Sequence, residues 1–177
     1  METIWAPWRV GYILGEGDEN GEPLPEPPDP TGCIFCDKPR AGADAPHLIV
    51  ARAKYSFVIL NLYPYNNGHL MVAPYRHVAR LQDLPDEEIA ELFVVAKRIE
   101  PVLKQKLNFD GLNLGMNVGR VAGAGIDAHL HLHLVPRWNG DTNFMPVTAN
   151  TKIVPQSLAA VRELLSEPLQ AALDDLL

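Results

Sequence analysis

The chain has 177 residues, of which 47% are hydrophobic, which is enough for one domain with a sizeable core. Its formal net charge is −7, but six acidic residues and no basic one fall within residues 15–30. The rest of the chain holds 16 acidic and 15 basic residues, without the basic stripe typical of nucleic-acid-binding proteins. No apolar stretch approaches the roughly eighteen residues of a membrane span, and no secretion signal is evident. We therefore expect a cytoplasmic protein with no nucleic-acid or membrane partner.

The first thirty residues form two segments of different composition. Residues 1–14 contain two tryptophans and a tyrosine, so we expect this segment to dock onto the body of the protein. Residues 15–30 carry five prolines and three glycines, which predicts an acidic linker or loop that buries little. The main domain is expected over residues 31–177.

Three short runs of apolar and β-branched residues predict strands over residues 48–53, 56–62 and 69–74. The second and third runs are separated by "YPYNNG", which has the composition of a turn. Connections this short favour antiparallel pairing, because a parallel crossover needs about a dozen residues or more.

Two amphipathic helices are predicted, over residues 83–107 and 155–176. Pro101 and Pro168 are expected to kink or break them. The apolar face of the first helix is expected to contain residues 89, 92, 93, 96, 99, 102 and 103. Two more strands are predicted between the helices, over residues 111–118 and 128–136. This order predicts an α+β fold with an antiparallel sheet of about five strands and two main helices.

Histidines and leucines alternate in the last predicted strand, "AHLHLHLVP". On a strand, His129, His131 and His133 share one face at intervals of about 7 Å, and the leucines take the other. We expect the leucines to enter the core and the histidines to face solvent, a partner or a cleft.

Three interpretations of the histidine face remain open. It is a polar surface, a catalytic zinc site completed by a ligand from elsewhere, or a site where imidazole acts as a nucleophile. The preceding segment, "GRVAGAG" (residues 119–125), is rich in glycine, which lets backbone N–H groups approach an oxyanion. A loop of this kind beside histidines favours a phosphate ligand, at which neutral imidazole is a good nucleophile.

These residues resemble a known family. "HLHLHLV" resembles the histidine triad motif, His-φ-His-φ-His-φ-φ with φ hydrophobic, and "LNLYPYNNGHLMVAPYRHVARLQDLP" is similar to a second signature of that family. The opening "WAPWR" and residues 115–147 resemble its bacterial branch of diadenosine tetraphosphate phosphorylases and hydrolases. The resemblance spans about residues 45–156, with a looser match at residues 4–10 and 33–36.

The resemblance implies the histidine triad fold, a homodimer or higher homo-oligomer, and a nucleotidyl-transferring enzyme that acts on the α-phosphate of AMP-containing nucleotides. His131 would be the nucleophile and form an AMP-histidine intermediate, which water resolves in hydrolases and inorganic phosphate in phosphorylases. His133 would donate to the phosphate and the bridging oxygen, and His69 would support the triad from the adjacent strand.

The same resemblance implies a set of substrate-binding residues. Asn61 occupies the position that binds ribose hydroxyls, and Asn117 the position that reaches the phosphate chain. The loop formed by Gly123, Ala124 and Gly125 would hold the α-phosphate. Gly125 departs from the family, since many members have Gln, Ser or Thr there, so backbone N–H groups, Asn117 or Asn143 must donate instead.

Four further residues near the triad carry open interpretations. Trp138 directly follows the triad strand and is predicted either to stack on a second adenine or to pack at a subunit contact. Arg120, Arg137 and Lys152 are either attractors of a polyphosphate or ordinary surface bases.

Cys33 and Cys36 form a CxxC pair, which indicates a zinc half-site or a redox pair. The resemblance supplies two more ligands, His77 and His129, and implies a structural zinc in a closed site of two cysteines and two histidines. The mechanism implied for His131 requires no catalytic metal. His47 receives no role, and we predict that it lies at the surface.

Other functions are compatible with the same residues. An adenosine phosphoramidase would use the same first step on a P–N bond. A nucleotide-binding regulatory module would bind AMP without forming an adduct. In a zinc hydrolase the triad itself would bind the metal.

Overall fold

A computed structural model describes residues 31–142 and 154–177, so the predicted segments 1–14 and 15–30 lie outside the described residues. In this described part of the chain, five strands form one sheet in which every neighbouring pair is antiparallel. The strands are β1 (Ile49–Arg52), β2 (Ser56–Leu60), β3 (Leu70–Pro74), β4 (Gly111–Met116) and β5 (Leu132–Arg137). Their order across the sheet is β1-β2-β3-β5-β4, which leaves β4 at one edge and β5 in the interior.

Within residues 31–142 and 154–177, three α-helices accompany the sheet: α1 (Ile34–Arg40), α2 (Asp86–Leu107) and α3 (Leu158–Ala171). The predicted α+β class, the antiparallel five-stranded sheet and the two main helices are confirmed. Helix α1 was not predicted, because seven residues that include Pro39 are too few to show a helical period.

The helix boundaries differ from the sequence prediction for local reasons. Helix α2 begins three residues later than expected, because Pro85 holds extended backbone (ψ 146°) at the cap. It ends where Asn108 adopts the left-handed conformation (φ 49°), a common helix terminator. Both α2 and α3 continue through their prolines, Pro101 and Pro168, so neither proline breaks its helix.

The sheet separates two apolar clusters. The larger cluster packs α2 and α3 against one face and includes Leu132 and Leu134 of β5. The smaller cluster lies on the opposite face and joins Phe35 of α1 to residues of β1, β2 and β3. The prediction that the triad leucines enter the core is thus confirmed, and the histidines share their face of the sheet with α1.

Helix α2 corrects one prediction about the core. Phe93, expected on the apolar face, is 50% exposed. The buried face instead contains Glu91, whose carboxylate accepts hydrogen bonds from the hydroxyl of Ser56 at 2.7 Å and the N–H of Tyr55 at 2.9 Å. These bonds satisfy a buried charged group and join α2 to the start of β2.

No helix within the described ranges is long and apolar enough to cross a membrane.

Candidate active site

The triad straddles the beginning of β5. Sheet pairing places His133 between Met71 of β3 and Gly115 of β4. His129 and His131 precede the strand, which starts at Leu132 and thus later than the predicted residue 128. The segment that contains these two histidines does not pair within the sheet. Its Leu130 N–H donates instead to the carbonyl of Val78, beyond the end of β3, at 2.7 Å.

His131 is oriented by its own backbone. Its Nδ1 lies 2.8 Å from the carbonyl oxygen of His129, and since a carbonyl only accepts, Nδ1 must carry the proton. The other ring nitrogen, Nε2, therefore has a free lone pair. The residue is 5% exposed, and burial lowers its pKa below the ordinary value of 6.5. At neutral pH His131 is thus a neutral imidazole with an unprotonated Nε2.

His133 has the opposite tautomer. The N–H of Tyr65 donates to Nδ1 of His69 at 3.0 Å, so the proton of His69 lies on Nε2. That Nε2 is 2.9 Å from Nδ1 of His133 and donates to it, which leaves the proton of His133 on its own Nε2. Burial lowers the pKa of His133 to about 4, with a contribution from His131. His133 is thus a neutral hydrogen-bond donor beside the neutral nucleophile.

Two cavities meet at these histidines, and His133 and Tyr65 line both. The first is a narrow cleft of about 40 Å³. The cleft is lined by His131 and His133 together with Phe35, Asn61, Tyr63, Tyr65, Met71, Gly125 and Ile126. The second cavity is larger, about 420 Å³, and extends over β4 and β5.

Asn61 and Gly125 both lie at the cleft, as their predicted roles require. Asn61 accepts the N–H of Tyr63 at 3.0 Å, and its amide nitrogen lies 3.3 Å from Nδ1 of His69. The predicted ribose-binding residue is therefore connected to the support of His133.

The glycine-rich loop turns through two left-handed glycines, Gly119 (φ 84°) and Gly123 (φ 90°). The N–H of Gly123 donates to the carbonyl of Arg120 at 3.0 Å and closes the turn. Of the three predicted loop residues, Gly125 lines the cleft and Gly123 and Ala124 do not. The N–H groups of Ala124 and Gly125 are the candidates for binding a phosphate, since that of Gly123 is already engaged.

The remaining predicted residues separate into two groups. Asn117 and Arg137 line the larger cavity. Trp138 lines neither cavity, because its indole N–H donates to the carbonyl of Asn108 at 3.1 Å and its ring packs against the larger core. Asn143 and Lys152 lie outside the described residues.

Four side chains at the first triad histidine could hold a metal ion: Cys33, Cys36, His77 and His129. Their ligand atoms all lie within 4.8 Å of one another. The sulfur atoms of Cys33 and Cys36 are 3.4 Å and 3.6 Å from Nδ1 of His129, and that of Cys36 is 3.2 Å from Nδ1 of His77. Tetrahedral zinc with bonds of about 2.3 Å to sulfur and 2.0 Å to nitrogen would separate such ligands by roughly 3.5 Å.

The hydrogen bonding of His129 also suits a metal ligand. Its Nε2 donates to the carbonyl of Pro74 at 2.9 Å, so Nδ1 is unprotonated on the side of the two cysteines. Burial lowers the pKa of His129 to about 4, and burial together with Cys33 raises the pKa of the Cys36 thiol to about 11. The donor set therefore fits a divalent cation, whose binding would displace thiol protons.

Sequence patterns missed two features of the site. Phe35 lies between the two cysteines, and its ring centroid is 5.2 Å from that of His129 and 4.8 Å from that of His131. Tyr65 packs its ring on His69 and His133. The motif "CIFC" and the turn "YPYNNG" contained both aromatics, but nothing in either motif indicated these contacts. His47, predicted at the surface, is 3% exposed, so that prediction is wrong.

A family model for the HIT domain matches residues 43–140, and the chain belongs to that family. Within it, the chain is 40% identical over 169 residues to the AP-4-A phosphorylase of Mycobacterium tuberculosis, across 94% of this chain and 83% of the relative. It is 39% identical over 82 residues to a bis(5′-adenosyl)-triphosphatase of Dictyostelium discoideum, across 46% of this chain and 54% of that one.

Solved structures agree with the assignment. A Zn-bound histidine triad family protein from Mycobacterium smegmatis shares 30% sequence identity and a TM-score of 0.61, over 81% of this chain and 94% of that chain. The predicted family and fold are thereby confirmed.

Proposed function

We propose that the protein is a nucleotidyl-transferring enzyme that cleaves diadenosine tetraphosphate or related adenylyl compounds at the α-phosphate. The observation that carries the proposal is the pair formed by His131 and His133, whose ring centroids are 4.8 Å apart. One presents an unprotonated Nε2 and the other a protonated one. Such a pair can attack a phosphorus atom and donate to an oxygen on it. The 40% identity to an AP-4-A phosphorylase supports this substrate class.

In the first step, Nε2 of His131 attacks the α-phosphorus, a P–N bond forms and the P–O bond to the leaving polyphosphate breaks. The imidazole becomes positively charged, and the carbonyl of His129 stabilises it by accepting its Nδ1–H. The Nε2–H of His133 donates to the phosphoryl and bridging oxygens where negative charge develops. Water or inorganic phosphate then attacks the AMP-histidine, the P–N bond breaks, and AMP or ADP leaves.

His69 and Asn61 act by positioning the reacting groups. His69 fixes the tautomer of His133, and Asn61 connects that histidine to the ribose. The N–H groups of Ala124 and Gly125, with the side chain of Asn117, would hold phosphate oxygens in place of the side chain that many family members carry at position 125.

We propose zinc as the ion held by Cys33, Cys36, His77 and His129. With all four residues as ligands, no position would remain for water, so the ion would supply structure rather than a reactive hydroxide. The cluster joins α1, the segment after β3 and the start of the triad. An ion bound there would fix the position of the His129 carbonyl, which orients His131. A zinc hydrolase built on the whole triad is disfavoured, because the unprotonated nitrogen of His129 faces the two cysteines and His133 has no free lone pair: its Nδ1 accepts from His69 and its Nε2 carries the proton.

We also propose that the protein is a cytoplasmic homodimer. Strand β4 is at the sheet edge, and Leu114 on it is 47% exposed. Unpaired edges are sites of association, so this strand is the candidate contact between copies.

Product analysis tests the proposed function. The protein is incubated with diadenosine tetraphosphate, with and without inorganic phosphate, and the nucleotides are separated by chromatography. ADP plus ATP, formed only with phosphate, indicates a phosphorylase, and AMP plus ATP without phosphate indicates a hydrolase. Turnover of an adenosine phosphoramidate but not of the dinucleotide would indicate the phosphoramidase instead, and binding of AMP without turnover would indicate a regulatory module.

A further inference from the structure

We propose that Asn66 is a positioning residue for the reaction. It lies in the turn before β3 (residues 63–68), which contains Tyr65 and leads directly to His69. Its side chain fastens this turn to β5, the strand that carries His133. The inference rests on the proposed function and adds to it the link that keeps His69 within hydrogen-bonding distance of His133.

The hydrogen bonds of the sheet end before they reach the turn. The ladder between β3 and β5 begins with the pair Leu70 and Leu134. Because His69 and the turn precede β3, they lie beyond this end of the ladder. The carbonyl of His69 accepts the N–H of Asn61, just after β2, on the side of β3 that faces away from β5. The sheet alone therefore does not fix the distance from His69 to His133.

The side chain of Asn66 supplies a direct link to β5. Its Nδ2 donates to the carbonyl of Pro136 on β5 at 3.0 Å and to the carboxylate of Asp141 at 2.7 Å. Both partners only accept, so they fix the orientation of the amide. Asn66 is buried, and a buried donor that loses its acceptors is costly, so this link resists separation of the turn from β5.

The second acceptor, Asp141, is itself held by the end of β5. Its carboxylate accepts from Nε and Nη2 of Arg137 at 2.6 Å and 2.9 Å and from the N–H of Trp138 at 3.2 Å. The hydrogen bonds from Arg137 keep the pKa of Asp141 well below its usual range, so the carboxylate is ionised at neutral pH. The bond from Asn66 is therefore charge-assisted, which is the stronger class of hydrogen bond.

Two backbone hydrogen bonds connect the turn to the ring of His69. The carbonyl of Asn66 accepts the N–H of His69 at 3.2 Å, and the N–H of Tyr65 donates to Nδ1 of that ring at 3.0 Å. Nε2 of His69 then lies 2.9 Å from Nδ1 of His133. A shift of the turn by about 0.5 Å would stretch this bond beyond the usual limit of about 3.2 Å. His133 could then carry its proton on Nδ1 and would no longer donate from Nε2.

Two AMP esters that differ only in the leaving phenol test whether Asn66 acts through His133. The 4-nitrophenyl ester releases a phenolate that is stable without a proton, whereas departure of the phenyl group depends on the Nε2–H of His133. In Asn66→Ala, kcat should fall about tenfold more on the phenyl ester than on the 4-nitrophenyl ester, with KM little changed. Asn66→Asp should give the same pattern, because it keeps the shape of the side chain and removes both donors.

NMR spectra that correlate the carbon-bound protons of the histidine rings with their nitrogens give a readout that a loss of stability would not move. In the wild-type protein, Nε2 of His133 should have the ¹⁵N shift of a protonated nitrogen and Nδ1 that of an unprotonated one. In both Asn66 variants the two shifts should move toward each other, because His133 exchanges between two tautomers.

Two other asparagines provide matched controls. Asn139 is exposed in the turn after β5, so Asn139→Ala should leave the melting temperature, the spectra and the kinetics unchanged. Asn67 lies in the same turn as Asn66, but its Nδ2 donates to Gln156, before α3, at 2.7 Å. Asn67→Ala should therefore lower the melting temperature without changing the ratio of the rates on the two esters.

The outcomes separate this inference from the proposed function. Equal losses on both esters, wild-type tautomers in the Asn66 variants, or the same change of ratio in Asn67→Ala would overturn the role of Asn66 and leave the proposed function intact. Wild-type protein that transfers AMP from neither ester nor from diadenosine tetraphosphate would overturn the proposed function. The spectra would still show whether Asn66 sets the tautomer of His133.

Discussion

The histidine triad has a metal end, His129, and a reaction end, formed by His131 and His133. The two ends differ in chemistry although all three residues are histidines on one face. At one end, His129 donates from Nε2 to a backbone carbonyl, and its Nδ1 is directed toward two cysteines. Two residues later, His131 donates from Nδ1 to a backbone carbonyl, and its Nε2 is free in the cleft. The nitrogen that donates to a carbonyl determines where the other, unprotonated nitrogen points: toward the two cysteines in His129 and into the cleft in His131.

The two ends are also coupled. The carbonyl that orients His131 belongs to His129, and the ring of Phe35 packs on both histidines. An ion at the first end would therefore position the nucleophile at the second without touching the substrate. The predictions below separate the two ends, starting with the largest expected effect.

Removing the nucleophile should abolish the chemistry and spare the metal. His131→Ala is expected to lower kcat by roughly 10⁴-fold or more, since losing a nucleophile removes the covalent route. Zinc content, measured by mass spectrometry, and AMP binding, measured by calorimetry, should stay near wild type. Loss of zinc together with activity, and recovery of both with added zinc, would instead make His131 a metal ligand.

Replacing His69, which supports His133, should lower kcat less than removing the nucleophile does. His69→Phe keeps a ring but removes the donor that fixes the tautomer of His133, and we expect kcat to fall by about 100-fold. His69→Gln is the companion variant, because its amide can still donate, and it should recover part of the loss. Equal loss in both variants would show that His69 acts by packing rather than by its N–H.

Removing a cysteine should affect the metal end first. Cys33→Ser is expected to lower zinc content well below one ion per chain and to lower the melting temperature by several degrees, because metal binding contributes to folding free energy. Activity should fall about tenfold through misplacement of the His129 carbonyl. An unchanged zinc content and melting temperature would contradict the assignment of the metal site.

The smallest effect concerns pH. Protonation of His131 on Nε2 removes its lone pair, so kcat/KM should fall as pH drops through the pKa of this residue. Burial lowers that pKa below 6.5, so the acidic limb should lie below pH 6.5 and the rate should be level from there to neutrality. A limb centred above pH 6.5 in a rate profile with diadenosine tetraphosphate would show that His131 is not buried as described.

The sequence was sufficient to predict the order of the helices and strands and the direction of the side chains around the triad. The alternation of histidine and leucine over residues 129–134 predicted that the two residue types lie on opposite faces, because successive side chains of an extended segment point to opposite sides. The resemblance of "CIFC", "PYRHV" and the triad motif to family motifs brought together Cys33, Cys36, His77 and His129, which the structure also places together.

Features that depend on packing could not be predicted in this way. Helix α1 is too short for a period, and the exposure of Phe93 and the burial of His47 depend on neighbours far along the chain. The tautomers of His131 and His133 depend on a carbonyl and on the N–H of Tyr65, and backbone groups carry no sequence signature. The larger cavity likewise arises from the spacing of β4, β5 and the turn before β3.

Trapping of the intermediate tests the central claim most directly. The protein is mixed with diadenosine tetraphosphate, quenched within milliseconds at alkaline pH, where phosphoramidates survive, and analysed by intact mass and peptide mapping. The account predicts one AMP per chain, on the peptide that contains residues 129–137, with fragmentation placing it on His131. Turnover without any adduct, or an adduct on another residue, would contradict it.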